Sequence, residues 1–137
     1  MKPGKPKLRH IAISVPDVAR AQKFFEEAFG MEKVGNAGRG VYMSDGTINV
    51  ALLDYQGTAP TGKEGPYLGL LHFGMWVDNL AEAEAQVNAA GGRHLHGRPP
   101  DRPNTFYEVK YADPDGVVFD LTESGWKGAQ KNVVPGS

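Results

Sequence analysis

The sequence predicts an α+β fold in which one βαβββ module occurs twice. Three observations carry that expectation: a repeat at constant offset, apolar alternation that gives way to helical spacing in each copy, and an Asp-Gly turn signal before each copy's last strand. The stretch from His10 to Ala21 lies on the stretch from His72 to Ala83, pairing His10 with His72, Val15 with Val77, Val18 with Leu80 and Ala19 with Ala81. Phe25 with Val87, Ala28 with Ala90 and Gly30 with Gly92 continue the match at the same offset of 62 positions. A chance similarity would not hold one offset across a strand, a turn and a helix.

Each element has its own local reason. Ile11, Ile13 and Val15 alternate with His10, Ala12 and Ser14, and Phe73, Met75 and Val77 alternate with His72, Gly74 and Trp76, which predicts strands with one apolar face. Pro16-Asp17 and Asp78-Asn79 are helix-start punctuation. Ala21, Phe24, Phe25 and Ala28 then recur at helical spacing, as do Leu80, Ala83, Val87 and Ala90. Gly30 and Gly91-Gly92 supply left-handed stops. Three shorter strands follow in each copy: 33–34, 40–43 and 47–53, then 93–96, 106–111 and 117–122. Asp45-Gly46 and Asp115-Gly116 mark the hairpins before the last of them. The reading is one domain over 1–137: module one about 7–54, a Gly/Pro/Thr-rich linker 55–69, module two about 70–123 and a C-terminal tail 124–137, in which Trp126 covers apolar surface.

Bulk properties narrow the function. A chain of 137 residues with 23% charged and 40% apolar residues is of ordinary globular make-up. A net charge of −1 gives no electrostatic reason to expect nucleic acid or an anionic membrane as a partner. No apolar run reaches transmembrane length and the first residues lack a signal-like apolar stretch, so the expected location is cytoplasmic. Without cysteine, any metal must rest on His, carboxylate or amide ligands.

Parity then selects the chemistry. If Ile11/Ile13/Val15, Ile48/Val50/Leu52, Phe73/Met75/Val77 and Val117/Phe119/Leu121 pack on the helices, His10, His72 and Asp120 share the opposite sheet face. Three potential metal ligands from three strands on one face are the principal functional signal. With the two modules and the run from Asp113 through Asp115-Gly116 to Asp120-Leu121, the chain resembles the vicinal oxygen chelate superfamily over roughly His10 to Thr122. That superfamily includes glyoxalase I, methylmalonyl-CoA epimerase, extradiol dioxygenases, fosfomycin-resistance enzymes and metal-free bleomycin-binding proteins.

The resemblance implies sheets curled into a cup that holds a divalent cation on His10, His72 and Asp120. Asp120 stands where the family usually has Glu. The family's fourth ligand, a Glu or Gln from the last strand of module one, falls here on Ala51 or on Val50, according to how the modules are matched. Asn49 is the nearest polar residue and a weak ligand. Two His and one carboxylate suit Fe(II) or Mn(II), with Ni(II), Co(II) and Zn(II) as alternatives. Extradiol relatives place a Tyr on the strand before the final hairpin. If Tyr107, Val109 and Tyr111 instead pack on the helices, Glu108 and Lys110 face the cup, and Glu108 becomes a candidate catalytic base for isomerase or lyase chemistry. Asn49, Trp76, Lys110 and Arg98 are candidate contacts to a small oxygenated substrate. A homodimer is the family's habit.

Plainer readings stand beside these. The two His and Asp120 are equally compatible with a metal-free, ligand-sequestering module of the bleomycin-resistance type, with Asp120 bonded to Arg39 or Lys110. His94 and His96 share a strand face as a weak second cluster, Trp76 and Tyr42 stack on a ligand or fill space, and the loop 97–104 rims the cup or merely connects.

Overall fold

The computed structural model describes residues 4–54, 68–97 and 108–133. Module one runs β1 (Lys7–Ser14), α1 (Val18–Phe29), β2 (Glu32–Ala37), β3 (Gly40–Ser44) and β4 (Asn49–Leu53), and module two runs β5 (Gly69–Trp76), α2 (Leu80–Ala89), β6 (Arg93–His96), β7 (Val109–Ala112) and β8 (Val118–Thr122). The strands form one curled eight-stranded sheet in the order β2-β3-β4-β1-β5-β8-β7-β6. Within each module the first strand pairs parallel with the last, and β1 meets β5 antiparallel at the centre. The order therefore reads the same from either edge towards the β1–β5 seam.

The local punctuation acts as the sequence leads one to expect. Asp17 and Asn79 cap α1 and α2, their side chains accepting the backbone N–H of Arg20 and Glu82. Gly30 closes α1 at φ 68°, a left-handed conformation that bonds its N–H back to Glu26. Asp45 turns the β3–β4 hairpin by accepting the N–H groups of Thr47 and Ile48, and Asp113 turns the β7–β8 hairpin by accepting those of Asp115 and Val117.

Two apolar cores lie on the helix side of the sheet. Val41, Met43, Val50 and Leu52 pack with Val18, Ala21 and Phe25 of α1, while Val77, Val109, Tyr111 and Leu121 pack with Leu80 and Ala83 of α2. Val117 departs from the expected alternation: it precedes β8 and is 45% exposed. Val109 and Tyr111 belong to the helix-side core, which turns Glu108 and Lys110 to the other face. Ala12, Ala51 and Leu71 form a small third cluster with Tyr42 and Leu53.

Four register shifts adjust this alternation among the described residues, two within the β1–β5 pairing, one between β2 and β3 and one between β6 and β7. Ala12 pairs with His72 and Ile13 with Leu70, so Leu71 is an extra residue between them. His94 pairs with Tyr111 and His96 with the adjacent Lys110, so Leu95 is extra in the same sense. That shift overturns the expectation that His94 and His96 share a face. His94 aligns with the helix-side Tyr111, its ring edge-on to the phenol, and donates to Gly97 O, whereas His96 aligns with Lys110.

Candidate metal centre

Strand register brings the three ligand candidates together. Gly74 of β5 is in register with His10 of β1 on one side and with Asp120 of β8 on the other, and His72 lies two residues earlier on β5. His10 Nε2 lies 3.3 Å from His72 Nε2, and Asp120 Oδ2 lies 3.0 Å from His72 Nε2 and 3.9 Å from His10 Nε2. One ligand atom from each residue fits within 4.8 Å of the others, so the group could hold a metal ion.

Protonation around the cluster follows from its neighbours. Asn49 Nδ2 donates to Lys127 O at 2.9 Å, which turns Asn49 Oδ1 towards His10 Nδ1 at 2.7 Å. An amide oxygen only accepts, so Nδ1 carries the hydrogen and Nε2 offers its lone pair to the cluster. Burial pushes the His10 imidazole down to about 4, which keeps it neutral and ready to ligate near pH 7. Burial alone would raise the Asp120 carboxyl, but His72 and Lys110 hold it well below the usual carboxylate range. Lys110 Nζ bonds Asp120 Oδ1, while Arg39 forms no ion pair among the described residues. Asp120 Oδ2 is buried, and among the described residues no well-aligned hydrogen bond reaches it, although His72 Nε2 stands 3.0 Å away. An unsatisfied buried carboxylate oxygen facing two imidazole nitrogens fits a cation, because a positive charge satisfies all three at once.

Glu108 stands beside this group. Its Oε1 is 3.9 Å from Lys110 Nζ, and its Oε2 accepts the indole N–H of Trp126 at 3.2 Å. Burial first, and then the Asp120 charge, push its carboxyl up to about 7. A cleft of about 440 Å³ opens over the site, with His72, His96, Glu108 and Lys110 as its polar lining. Its apolar lining among the described residues is Leu53, Leu71, Leu95 and Val118. A hollow of about 500 Å³ between module one and the C-terminal segment, bounded by Phe29, Glu32, Asp45 and Gln130, shares no residue with the cluster.

The other candidates from the sequence are distributed as follows. Asn49 is fully buried with both ends of its amide engaged. Trp76 is not among the cleft's lining residues: its indole packs on Gly125 and donates to Glu123 O. Arg98 and Tyr107, with most of the 97–104 loop, lie outside the described residues. Register also settles the missing fourth ligand. Ala51 faces Ala12 across β1–β4 as Asp120 faces Gly74 across β5–β8, so Ala51, not Val50, is the counterpart of Asp120. In the same way Tyr42 stands opposite Ala51 as Lys110 stands opposite Asp120.

Sequence periodicity gives no sign of Trp126 as a candidate site residue. Far from simply covering apolar surface, its ring stacks on His10 with centroids 4.7 Å apart and planes 10° from parallel. Nothing in the 124–133 segment advertises this, because no periodic pattern leads the chain back over the sheet.

A family model described as the Glyoxalase/Bleomycin resistance protein/Dioxygenase superfamily matches residues 7–121. A probable lactoylglutathione lyase, chloroplastic, of Arabidopsis thaliana is 30% identical over 135 residues, covering 91% of this chain; the chain spans 38% of that relative's length. Among solved structures, a methylmalonyl-CoA epimerase of Streptomyces coelicolor superposes with a TM-score of 0.65 at 18% identity, covering 85% of this chain and 95% of the other. An Mn(II)-bound glyoxalase of Novosphingobium aromaticivorans gives a TM-score of 0.61 at 17% identity, covering 96% of this chain and 44% of the other.

Proposed function

Because the chain belongs to the Glyoxalase/Bleomycin resistance protein/Dioxygenase superfamily, we propose that it is a small metal-dependent enzyme of the lyase/isomerase kind. Its substrate is a small molecule with oxygens on neighbouring carbons. His10, His72 and Asp120 would hold the divalent cation, with Mn(II) or Fe(II) the first choices for two imidazoles and a carboxylate. The cation, when bound, supplies Lewis-acid polarisation of the substrate's oxygens.

The observation that carries the reaction class is Glu108. It lines the cleft beside Lys110, with its carboxyl raised to about 7 by burial and by the Asp120 charge. A carboxylate in that range is a far better base than one in water and still gives its proton back near neutral pH. Trp126 holds Oε2, which leaves Oε1 to take a proton from a carbon beside a carbonyl and return it to the adjacent carbon. Lys110 keeps its ammonium between Glu108 and Asp120 and limits the repulsion of the two carboxylates.

The Arabidopsis relative's name favours the lyase side, though its substrate is not carried over from a protein of which this chain spans 38%. An extradiol-type reaction has less support, since the β7 tyrosine, Tyr111, turns towards α2 and bonds Glu84. The metal-free binding module draws support from Lys110, which satisfies Asp120 Oδ1, but it leaves Oδ2 with only the poorly aligned His72 Nε2 beside it among the described residues.

The test pairs metal analysis of untagged, chelator-free protein with hydrogen exchange. Wild type should carry near-stoichiometric metal and speed exchange of the carbon-bound hydrogens of hydroxyacetone with D2O. His72→Ala and Asp120→Ala should lose both properties. Glu108→Gln should keep the metal and lose exchange by about 10²- to 10⁴-fold. No metal after incubation with Fe(II), Mn(II), Ni(II) and Zn(II) would sink the proposal, and O2 uptake with a catechol would move it to the dioxygenase class.

A further inference from the structure

Two adjacent Leu-His pairs line one cleft, which strict strand alternation forbids. In a regular strand Leu71 would point away from His72, and Leu95 away from His96, because successive side chains alternate between faces. Here both members of each pair line the same 440 Å³ cleft. The register shifts explain this. Leu71 is the extra residue between the Ala12–His72 and Ile13–Leu70 pairs, and Leu95 is the extra residue between the His94–Tyr111 and His96–Lys110 pairs. Leu53, at the end of β4, and Val118, at the start of β8, complete an apolar wall. Of the polar lining, His72 belongs to the proposed ligand group, Glu108 and Lys110 adjoin Asp120, and His96 stands beside Leu95 in register with Lys110.

Among its described lining residues the cleft thus sets chelating and proton-moving groups beside four aliphatic side chains. From this we infer that the substrate carries an uncharged aryl or branched-alkyl substituent on its vicinally oxygenated group, seated against Leu53, Leu71, Leu95 and Val118. The inference rests on the proposed metal site for the position of the oxygenated end, and on the four aliphatic side chains for the substituent. Burying several carbons of a substituent there should strengthen binding by the usual apolar transfer term, whereas a methyl group in its place would leave the wall in contact with water.

Hydroxamic acids, which offer two oxygens on adjacent atoms, probe both ends separately. Binding of acetohydroxamate and benzohydroxamate would be measured on Mn(II)-treated and on metal-free protein, by calorimetry and by NMR shifts of leucine methyl groups. The same measurements would be made on Leu95→Asp and Leu53→Ala, with far-UV circular dichroism confirming their fold. The expected result on Mn(II)-treated protein is benzohydroxamate binding about tenfold or more tighter than acetohydroxamate. Leu95→Asp should bring that ratio close to one while leaving acetohydroxamate affinity unchanged, and Leu53→Ala should lower it partway.

Equal affinities in the wild type, or a preference that survives both variants, would overturn the apolar wall and leave the metal reading standing. Failure of Mn(II) and acetohydroxamate to bind, with Leu95-dependent benzohydroxamate binding to metal-free protein, would overturn the metal reading and keep the wall. Binding of neither probe in either state would overturn both.

Discussion

Asn49 orients His10 without belonging to the proposed ligand group. Its amide is oriented by the Lys127 carbonyl and in turn fixes which imidazole nitrogen bears the hydrogen. Asn49→Leu should therefore lower Mn(II) affinity by about 10- to 100-fold in a competition titration with a chromophoric chelator, as loss of an orienting outer partner typically does. His10 and Glu108 also leave a signature in the pH dependence of metal-free stability. His10 is pushed down from 6.5 to about 4, so over that window the unfolded chain binds more protons and stability rises with pH. Glu108 is pushed up from 4.5 to about 7, so over that window the folded chain binds more protons and stability falls with pH. The two slopes oppose each other, each limited to about 1.4 kcal/mol per pH unit. Urea midpoints of metal-free wild type should then vary little between pH 4.5 and 6.5, whereas those of Glu108→Gln should climb across the same range.

At the scale of elements, the C-terminal segment acts as a strap over the first module. Gln130 N–H donates to Thr47 O, Ser44 Oγ donates to Gly128 O, and Arg9 donates to the carbonyls of Gln130 and Lys131. These bonds seat Trp126 over β5, where Gly74 leaves room for it. A Cβ at position 74 would come within 2.6 Å of the indole and 2.9 Å of His10 Cβ, closer than real Cβ contacts. Gly74→Ala must therefore displace Trp126 from His10. The expected cost is about 1–3 kcal/mol of stability, accompanied by a red-shifted tryptophan emission as the indole moves towards water. Emission that matches wild type in a normally stable Gly74→Ala protein would refute the strap's role.

The whole molecule is a duplicated scaffold with an unduplicated site. Both modules supply a histidine to the β1–β5 seam, but the second module places Asp120 and Lys110 where the first places Ala51 and Tyr42. A cation held by His10, His72 and Asp120 would join module one to module two across that seam. Mn(II) at a hundred times its dissociation constant should stabilise the fold by about 2.7 kcal/mol by mass action, raising the melting temperature by several degrees. Excess chelator should reverse the shift, and Asp120→Ala should show neither effect in differential scanning calorimetry.

The duplicated βαβββ order, the helix caps at Asp17 and Asn79, and the common face of His10, His72 and Asp120 are legible in the residue pattern. All of these rest on local periodicity and turn chemistry, which neighbouring residues enforce within a few positions. Tertiary structure alone decided the rest. The choice of Ala51 over Val50 came from strand register, and the separation of His94 from His96 came from one extra residue in β6, which no periodic pattern marks. Trp126 reached His10 because hydrogen bonds between residues more than seventy positions apart fold the C-terminal segment back over the sheet. Asp120 Oδ2 became a sign of a cation only once burial had removed water and pairing had sent Lys110 to its other oxygen. Long-range pairing and desolvation depend on where the chain returns to itself, and the residues beside a given position do not encode that.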